Sequence, residues 1–336
     1  MTAHRFDLTA IGAGLPVAAA RTELTAAIAT GAAVITAPPG TGKTTFVPPL
    51  VANLLAASGG AGRVLLSQPR RVAVRAAARR LAALDGSALG GPVGFTVRGE
   101  RQVGPHTRVE ALTPGVLLRR LLADPELDGV GALILDEVHE RSVDGDLLLA
   151  LLAEVRQLRE DLVVIAMSAT LDAAGTAELL AAPVVHVPSP LHPLGIAHAP
   201  GAHPRLDERG VTREFLRHLA QLAVAEQRTA GADALVFVPG AWEVDRVVQE
   251  ARDILGAGAA GPEVLPLHGR LSPAEQDRAV SGAAPGGPAR IVVSTALAES
   301  SLTVPGVRLV IDAGLTREVR RDRGRDMTGL ITVSAS

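Results

Sequence analysis

The sequence of 336 residues has no cysteine and no tyrosine, a single tryptophan, and only 2% aromatic residues. Without cysteine, a disulfide framework and a thiolate metal site are both excluded. With so few rings, the core must be built from Leu, Val, Ile and Ala, and a surface that grips unpaired bases by stacking is disfavoured. Lysine is almost missing as well: Lys43 is the only one, and every other long basic side chain is arginine. A formal net charge of −2 gives no global electrostatic signature, so any polyanion-binding surface has to come from local arginine clusters. Uncharged stretches at 24–42 and 44–62 are interrupted by Pro38-Pro39, Pro48-Pro49 and several glycines, which are expected to break them before a membrane span forms. The N-terminus carries no basic-then-apolar leader pattern, so the reading is a cytoplasmic protein with no membrane association.

The lone lysine stands in the stretch Ala37–Thr45, APPGTGKTT. This fits the phosphate-loop pattern, closed by Gly42, Lys43 and Thr44, with Ala37 in place of the first glycine. Pro39, Gly40, Thr41 and Gly42 shape a turn whose amides face inward. The start of the following helix, through Lys43, Thr44 and Thr45, completes a concave anion site. A compact ammonium fits between phosphates where a planar guanidinium would not. The Thr44 hydroxyl is placed to hold a magnesium ion, and Val34-Ile35 supply the strand that feeds the loop.

Short apolar runs alternate with helical patterns along the chain. Strands are expected at Ala33–Ala37, Arg63–Ser67, Arg108–Leu112, Ala132–Asp136 and Leu162–Met167, with helices at Arg71–Leu84, Gly115–Leu122 and Asp146–Leu158. Nearly continuous apolar strands are those of a parallel sheet covered on both faces, so the fold class is α/β. Prolines 188, 190, 193 and 200 interleave with His186, His192, His198 and His203 in no ligand spacing, which reads as an extended connector. A second unit then restarts with a helix at Thr212–Gln227 and strands at Ala234–Val238, Val264–Leu267, Arg290–Ser294 and Arg308–Asp312. The divisions are therefore 1–185, a connector at 186–210, and 211–336. Gly256, Gly258 and Gly261 follow a helix rather than a strand and read as a turn, not a dinucleotide fingerprint.

Asp136 and Glu137 follow the Ala132–Leu135 run, at the strand end where nucleotides bind in open α/β sheets. Asp136 is suited to hold magnesium through water, and Glu137 to orient and deprotonate a water attacking a γ-phosphate. Ser168 and Thr170 are short hydroxyl side chains after a buried strand, suited either to relaying the state of that site or to capping the next helix.

Asp136–His139 reads DEVH and is followed by Glu140 and Arg141, which resembles the DEAH-box class of superfamily-two RNA helicases and, within it, the bacterial HrpB type. QPRRVAV from Gln68 resembles that family's motif Ia, Thr113–Gly115 its motif Ib, Ser168–Thr170 its motif III, PLHGRLS from Pro266 its motif IVa, and STALAESSLTVPGV from Ser294 its motif V. The resemblance implies two tandem RecA-like domains with parallel sheets, the second incomplete, using ATP and Mg2+ and binding single-stranded RNA without reading its sequence. It assigns catalytic roles to Lys43, Asp136, Glu137 and His139, and an adenine contact to Arg80. Coupling roles fall to Ser168, Thr170 and Glu299. Nucleic-acid contacts fall to Arg70, Arg71, Thr113, Gly115, Ser294 and Thr295, groups that offer forks, hydroxyls and amides to phosphate rather than to base edges. A monomer is favoured.

Two departures from the family pattern stand out. Val280 occupies the position of the family's adenine-stacking aromatic, so base stacking should be weak. The chain also reaches Ser336 before the family's arginine-rich motif VI, and RRDRGR at Arg320–Arg325 reads as a solvated basic turn. The expectation is a fragment that binds nucleotide and turns it over slowly. Three other readings stay open: an NTPase stimulated by single-stranded DNA, a small-molecule phosphotransferase that leaves the arginines and motif V unexplained, and a non-catalytic nucleic-acid module that leaves Asp136-Glu137 unexplained.

Overall fold

The computed structural model describes residues 4–60, 62–170, 173–189, 193–256, 261–284, 286–298, 304–322 and 327–335. The chain divides into two compact units, Met1–Pro193 and Leu194–Ser336.

In the first unit the strands are β1 (Ala32–Thr36), β2 (Arg63–Ser67), β3 (Val93–Val97), β4 (Glu100–Gln102), β5 (Val109–Leu112), β6 (Val130–Leu135), β7 (Val163–Ser168) and β8 (Val184–His186). They form one sheet in the order β4-β3-β5-β2-β6-β7-β1-β8. All neighbours are parallel except β4, which pairs antiparallel with β3 at one edge. The helices are α1 (Leu8–Ile11), α2 (Arg21–Ile28), α3 (Lys43–Ala57), α4 (Arg71–Asp85), α5 (Pro114–Ala123), α6 (Val143–Leu158) and α7 (Ala174–Leu180). Strand side chains alternate between two apolar layers. Ala33, Ile35, Val64, Leu66, Ile134 and Met167 join the layer under α1–α4, while Val34, Leu65, Leu133 and Val164 join the layer under α5–α7. Burial on both faces is why these strands carry no polar alternation in the sequence.

Helix α3 departs from the expectation that Pro48-Pro49 interrupt their stretch, because it runs unbroken through both prolines. The missing amides cost intrahelical bonds. Against that, Phe46, Val47, Leu50 and Val51 are all fully packed in the core, and that burial holds the helix. At 15 residues α3 is still too short for a bilayer, and among the described residues no helix is long and apolar enough to cross a membrane. Helix α5 is fastened to the sheet by Arg120, whose two terminal nitrogens donate to the fully buried Glu110 carboxylate at 3.2 and 2.7 Å.

The second unit has a short antiparallel pair, β9 (Leu206–Asp207) and β10 (Gly210–Val211), followed by α8 (Arg213–Ala230), β11 (Asp233–Phe237), α9 (Ala241–Leu255), β12 (Glu263–Leu267), α10 (Pro273–Val280), β13 (Arg290–Ser294), β14 (Val307–Asp312), β15 (Leu315–Asp322) and β16 (Met327–Ser334). Its parallel sheet has the order β12-β13-β11-β14, with α8 and α9 packed over Ala234, Val236, Ile291 and Val293. Strands β15 and β16 pair antiparallel as a separate hairpin. Arg317 on that hairpin reaches the buried Glu243 of α9 at 3.2 Å. At the opposite strand ends, Arg290 is 2% exposed. It donates through Nε and Nη2 to Asp233 Oδ2 at 3.0 and 2.8 Å, and through its remaining donors to the carbonyls of Ala279 and Pro305.

Candidate nucleotide-binding site

The loop between β1 and α3 turns through two left-handed glycines, Gly40 at φ +78° and Gly42 at φ +88°. Gly42 is required twice over: its φ disfavours any side chain, and a Cβ there would lie 2.8 Å from a Leu15 methyl. The segment carrying Leu15 backs the loop, with the Val17 amide donating to the Thr41 carbonyl at 3.1 Å. The Thr41 hydroxyl closes the turn on the Pro38 carbonyl at 2.9 Å. Lys43 is buried, and its ammonium donates to the carbonyls of Ala37 and Pro38. Burial lowers its pKa, opposed by the charges of Asp136 and Glu137. Ala37, where the pattern has glycine, is packed in the core and hydrogen-bonded to the Ser168 carbonyl at 3.1 Å, so the small methyl is absorbed by the β1–β7 seam.

Asp136 follows β6 and reaches the phosphate loop directly. Its Oδ2 accepts from the Thr44 hydroxyl at 2.6 Å and from Gln68 Nε2 at 2.6 Å, and its Oδ1 accepts from the Glu137 amide at 2.9 Å. Burial pushes its carboxyl up to about 7, with the Glu137 charge adding to the shift and the bond from Thr44 and the charge of Lys43 opposing it. Glu137 sits at φ +57°, a left-handed position for a residue with a side chain. Its carboxyl is also raised, chiefly by burial, with Glu140 raising it further and Lys43 and Arg70 holding it down. Glu137 Oε2 lies 3.3 Å from His139 Nε2, and His139 Nδ1 accepts from the Ala169 amide at 3.2 Å. Ser168 is buried and its hydroxyl lies 3.1 Å from that of Thr170, so the two pair with each other. Neither caps α7, whose N-cap is Ala173.

The other expected residues fall on turns, helices and strands away from the phosphate loop. Arg70 is the N-cap of α4 and Arg71 its first residue, the latter exposed. Thr113 is the N-cap of α5, with Pro114 and Gly115 opening the helix. Arg80 is exposed on the outer face of α4. In the second unit Thr295 is half-buried, whereas Ser294 is fully buried with its hydroxyl donating to the Thr295 carbonyl at 2.7 Å. The Ser294 hydroxyl is therefore engaged by the backbone of its own turn. Val280 ends α10 at 7% exposure and offers no open face. Arg320 and Arg321 are exposed on β15. Glu299 and the remaining arginines of the Arg320–Arg325 run lie outside the described residues, as does His192. Among the described residues no group of three or more His, Cys, Asp or Glu is placed to hold a metal.

Sequence reasoning assigned no role to Gln68 or Glu140. Gln68 is 2% exposed, and its Oε1 has no hydrogen-bond partner among the described residues. Glu140 Oε2 lies 3.6 Å from Arg70 Nη2. Both belong to motifs already quoted, and only their neighbours carried a chemical signal.

Residues 20–179 match the family model for DEAD/DEAH box helicases, and residues 214–325 match that for the helicase conserved C-terminal domain. The ATP-dependent RNA helicase HrpB of Escherichia coli K12 is 41% identical over 327 residues, which is 96% of this chain and 38% of that protein. The human protein named probable ATP-dependent RNA helicase DHX34 is 37% identical over 293 residues, 86% of this chain and 25% of that one. A crystal structure of Escherichia coli DEAH/RHA helicase HrpB superposes with a TM-score of 0.81 at 39% identity, covering 96% of this chain and 40% of that chain. The chain thus spans about two fifths or less of the length of each of these relatives. With the phosphate loop, the DEVH turn and both matched models in sequence order, the chain belongs to the DEAD/DEAH-box helicases.

Proposed function

We propose that this chain is an ATP-dependent RNA helicase core, in which nucleotide hydrolysis on the first unit is coupled to movement along RNA or to its unwinding. The observation that carries the reading is the direct bond from Thr44 of the phosphate loop to Asp136 of DEVH. It joins a triphosphate cradle to an acidic strand end, beside turns that present Arg70, Arg71, Thr113 and Gly115. The relatives named as ATP-dependent RNA helicases support RNA as the partner.

The residues present fit a magnesium ion. Thr44 and Asp136 are oxygen donors of the kind a hard cation takes, and the buried Gln68 Oε1 beside them is an acceptor with no partner among the described residues. Such an acceptor suits a water of the ion's hydration shell. When bound, magnesium would neutralise charge on the β- and γ-phosphates. Lys43 and the amides of 40–45 bind the phosphates, Glu137 orients and deprotonates the attacking water, and His139 holds Glu137 in place. Arg80 contacts the adenine from one side only, giving a modest base preference. Ser168, Thr170 and Glu299 act in coupling, and 186–210 connects a domain at 1–185 to one at 211–336. RNA contacts go to phosphate and sugar, so binding is sequence-tolerant, and the protein acts as a cytoplasmic monomer.

The test is steady-state ATPase activity of a chain extended through the family's motif VI, with and without single-stranded RNA, paired with a competition titration of RNA against single-stranded DNA. Stimulation by RNA supports the reading, and no stimulation by any polynucleotide overturns it. Preference for DNA would favour a DNA-stimulated NTPase instead.

A further inference from the structure

Two side-chain contacts among the described residues link the turn after β2 to the turn after β6. Gln68 Nε2 donates to Asp136 Oδ2 at 2.6 Å, and two residues further along the first turn and four along the second Arg70 Nη2 stands 3.6 Å from Glu140 Oε2. Both fastenings border one cleft, lined among others by Pro69, Pro114, Glu137 and Glu140. Their chemistry differs. Gln68 is buried at 2% exposure, and a side-chain amide kept there with an unmade acceptor costs stability that an apolar side chain of similar size would not. The Arg70 and Glu140 side chains keep 28% and 18% of their exposure, within reach of an external anion.

We infer that these two contacts couple nucleic acid to the metal ligand within the first unit. Gln68 is a positioning residue that sets the Asp136 carboxylate, and Glu140 is an internal anion that a nucleic-acid phosphate displaces from Arg70. This rests on the helicase reading above. When phosphate takes Arg70, the turn at 68–70 is held from outside rather than by Glu140, and the amide of Gln68 carries that change to Asp136. Nucleotide with magnesium, acting at Asp136, biases the same turn in return, because coupling between two ligands is reciprocal.

The experiment measures the affinity of the full chain for a fluorescent single-stranded oligouridylate. It is done without nucleotide and with magnesium plus a non-hydrolysable ATP analogue, and the ratio of the two affinities is the coupling. Glu140→Gln should tighten nucleotide-free RNA binding about threefold to fivefold, the size expected for removing a partly exposed competing ion pair. Glu140→Asp, which keeps the charge, should behave like the parent. Gln68→Leu, of similar volume, should bring the coupling ratio toward one. Melting by circular dichroism identifies a Gln68 variant that fails to fold, in which case the two Glu140 variants decide. Unchanged or weakened RNA binding in Glu140→Gln, or full coupling in a folded Gln68→Leu, overturns the inference while leaving the helicase reading intact. A parent chain that binds neither nucleotide nor RNA overturns both.

Discussion

His139 Nδ1 accepts a hydrogen bond from the Ala169 amide at 3.2 Å while its other ring nitrogen stands 3.3 Å from Glu137 Oε2. One imidazole thus ties the carboxylate that would activate water to the turn after β7. His139→Ala leaves Glu137 unsupported at a strained backbone position, and small displacements of a reacting group cost up to about a hundredfold in rate. ATP turnover should fall by about tenfold to a hundredfold while nucleotide affinity stays within about twofold, read by steady-state kinetics beside a binding titration.

Lys43→Ala should weaken magnesium-nucleotide binding by about tenfold to a hundredfold, the worth of a charge-assisted bond to phosphate. Lys43→Arg should not restore it, because the fork cannot occupy a pocket where the ammonium already meets two carbonyls. Titration of a fluorescent nucleotide measures both.

Asp136 holds its proton up to about pH 7 in the free protein, against about 4 for an unfolded carboxyl. Between those values the folded chain binds more protons than the unfolded one, so this group's contribution to stability falls as pH rises through the window. Magnesium binding must release that proton. Calorimetry in buffers of different ionisation enthalpy should find close to one proton released at pH 6 and little at pH 8, and Asp136→Asn should abolish the release.

Changing Arg70 and Arg71 together to alanine should weaken RNA binding by a similar factor for every sequence. It should also flatten the log–log salt dependence by roughly 0.7 per lost phosphate contact. A salt titration on two unrelated oligonucleotides checks both parts.

Asp233→Ala would leave Arg290 buried without its counter-charge, a loss of about 3–5 kcal/mol. Calorimetric scanning should show the transition of the second unit moving down while that of the first stays put, since the pair lies wholly within Leu194–Ser336.

The parallel core was legible because its strands are apolar on both faces, and β2 and β13 match their expected bounds. Strand β3 was not, because Gly94 and Thr96 dilute its pattern. Helix α10 is only eight residues long with no apolar stripe, although the Ser272–Glu275 capping box that starts it stands in the sequence as SPAE. At the site, the phosphate loop and DEVH were legible by spacing. Gln68 was not, since a glutamine defaults to the surface and only the fold reveals that it is buried against Asp136. Nor was the environment of Ser294: a hydroxyl at a strand end reads as exposed, and the fold buries it with its bond to the Thr295 carbonyl.

Strand β1 carries the phosphate loop near the start of the chain, yet its neighbours in the sheet are β7 and β8. During synthesis the loop therefore leaves the ribosome long before the strands that seat it: Val34 pairs with Ala166 of β7 on one side and Val184 of β8 on the other, and its amide donates to the Pro183 carbonyl. Contacts so far apart in sequence form late. A ligand-binding segment made early in this unit is thus among the last to be assembled, and a nascent chain stalled before residue 163 would carry the whole phosphate-loop sequence without the seat that shapes it.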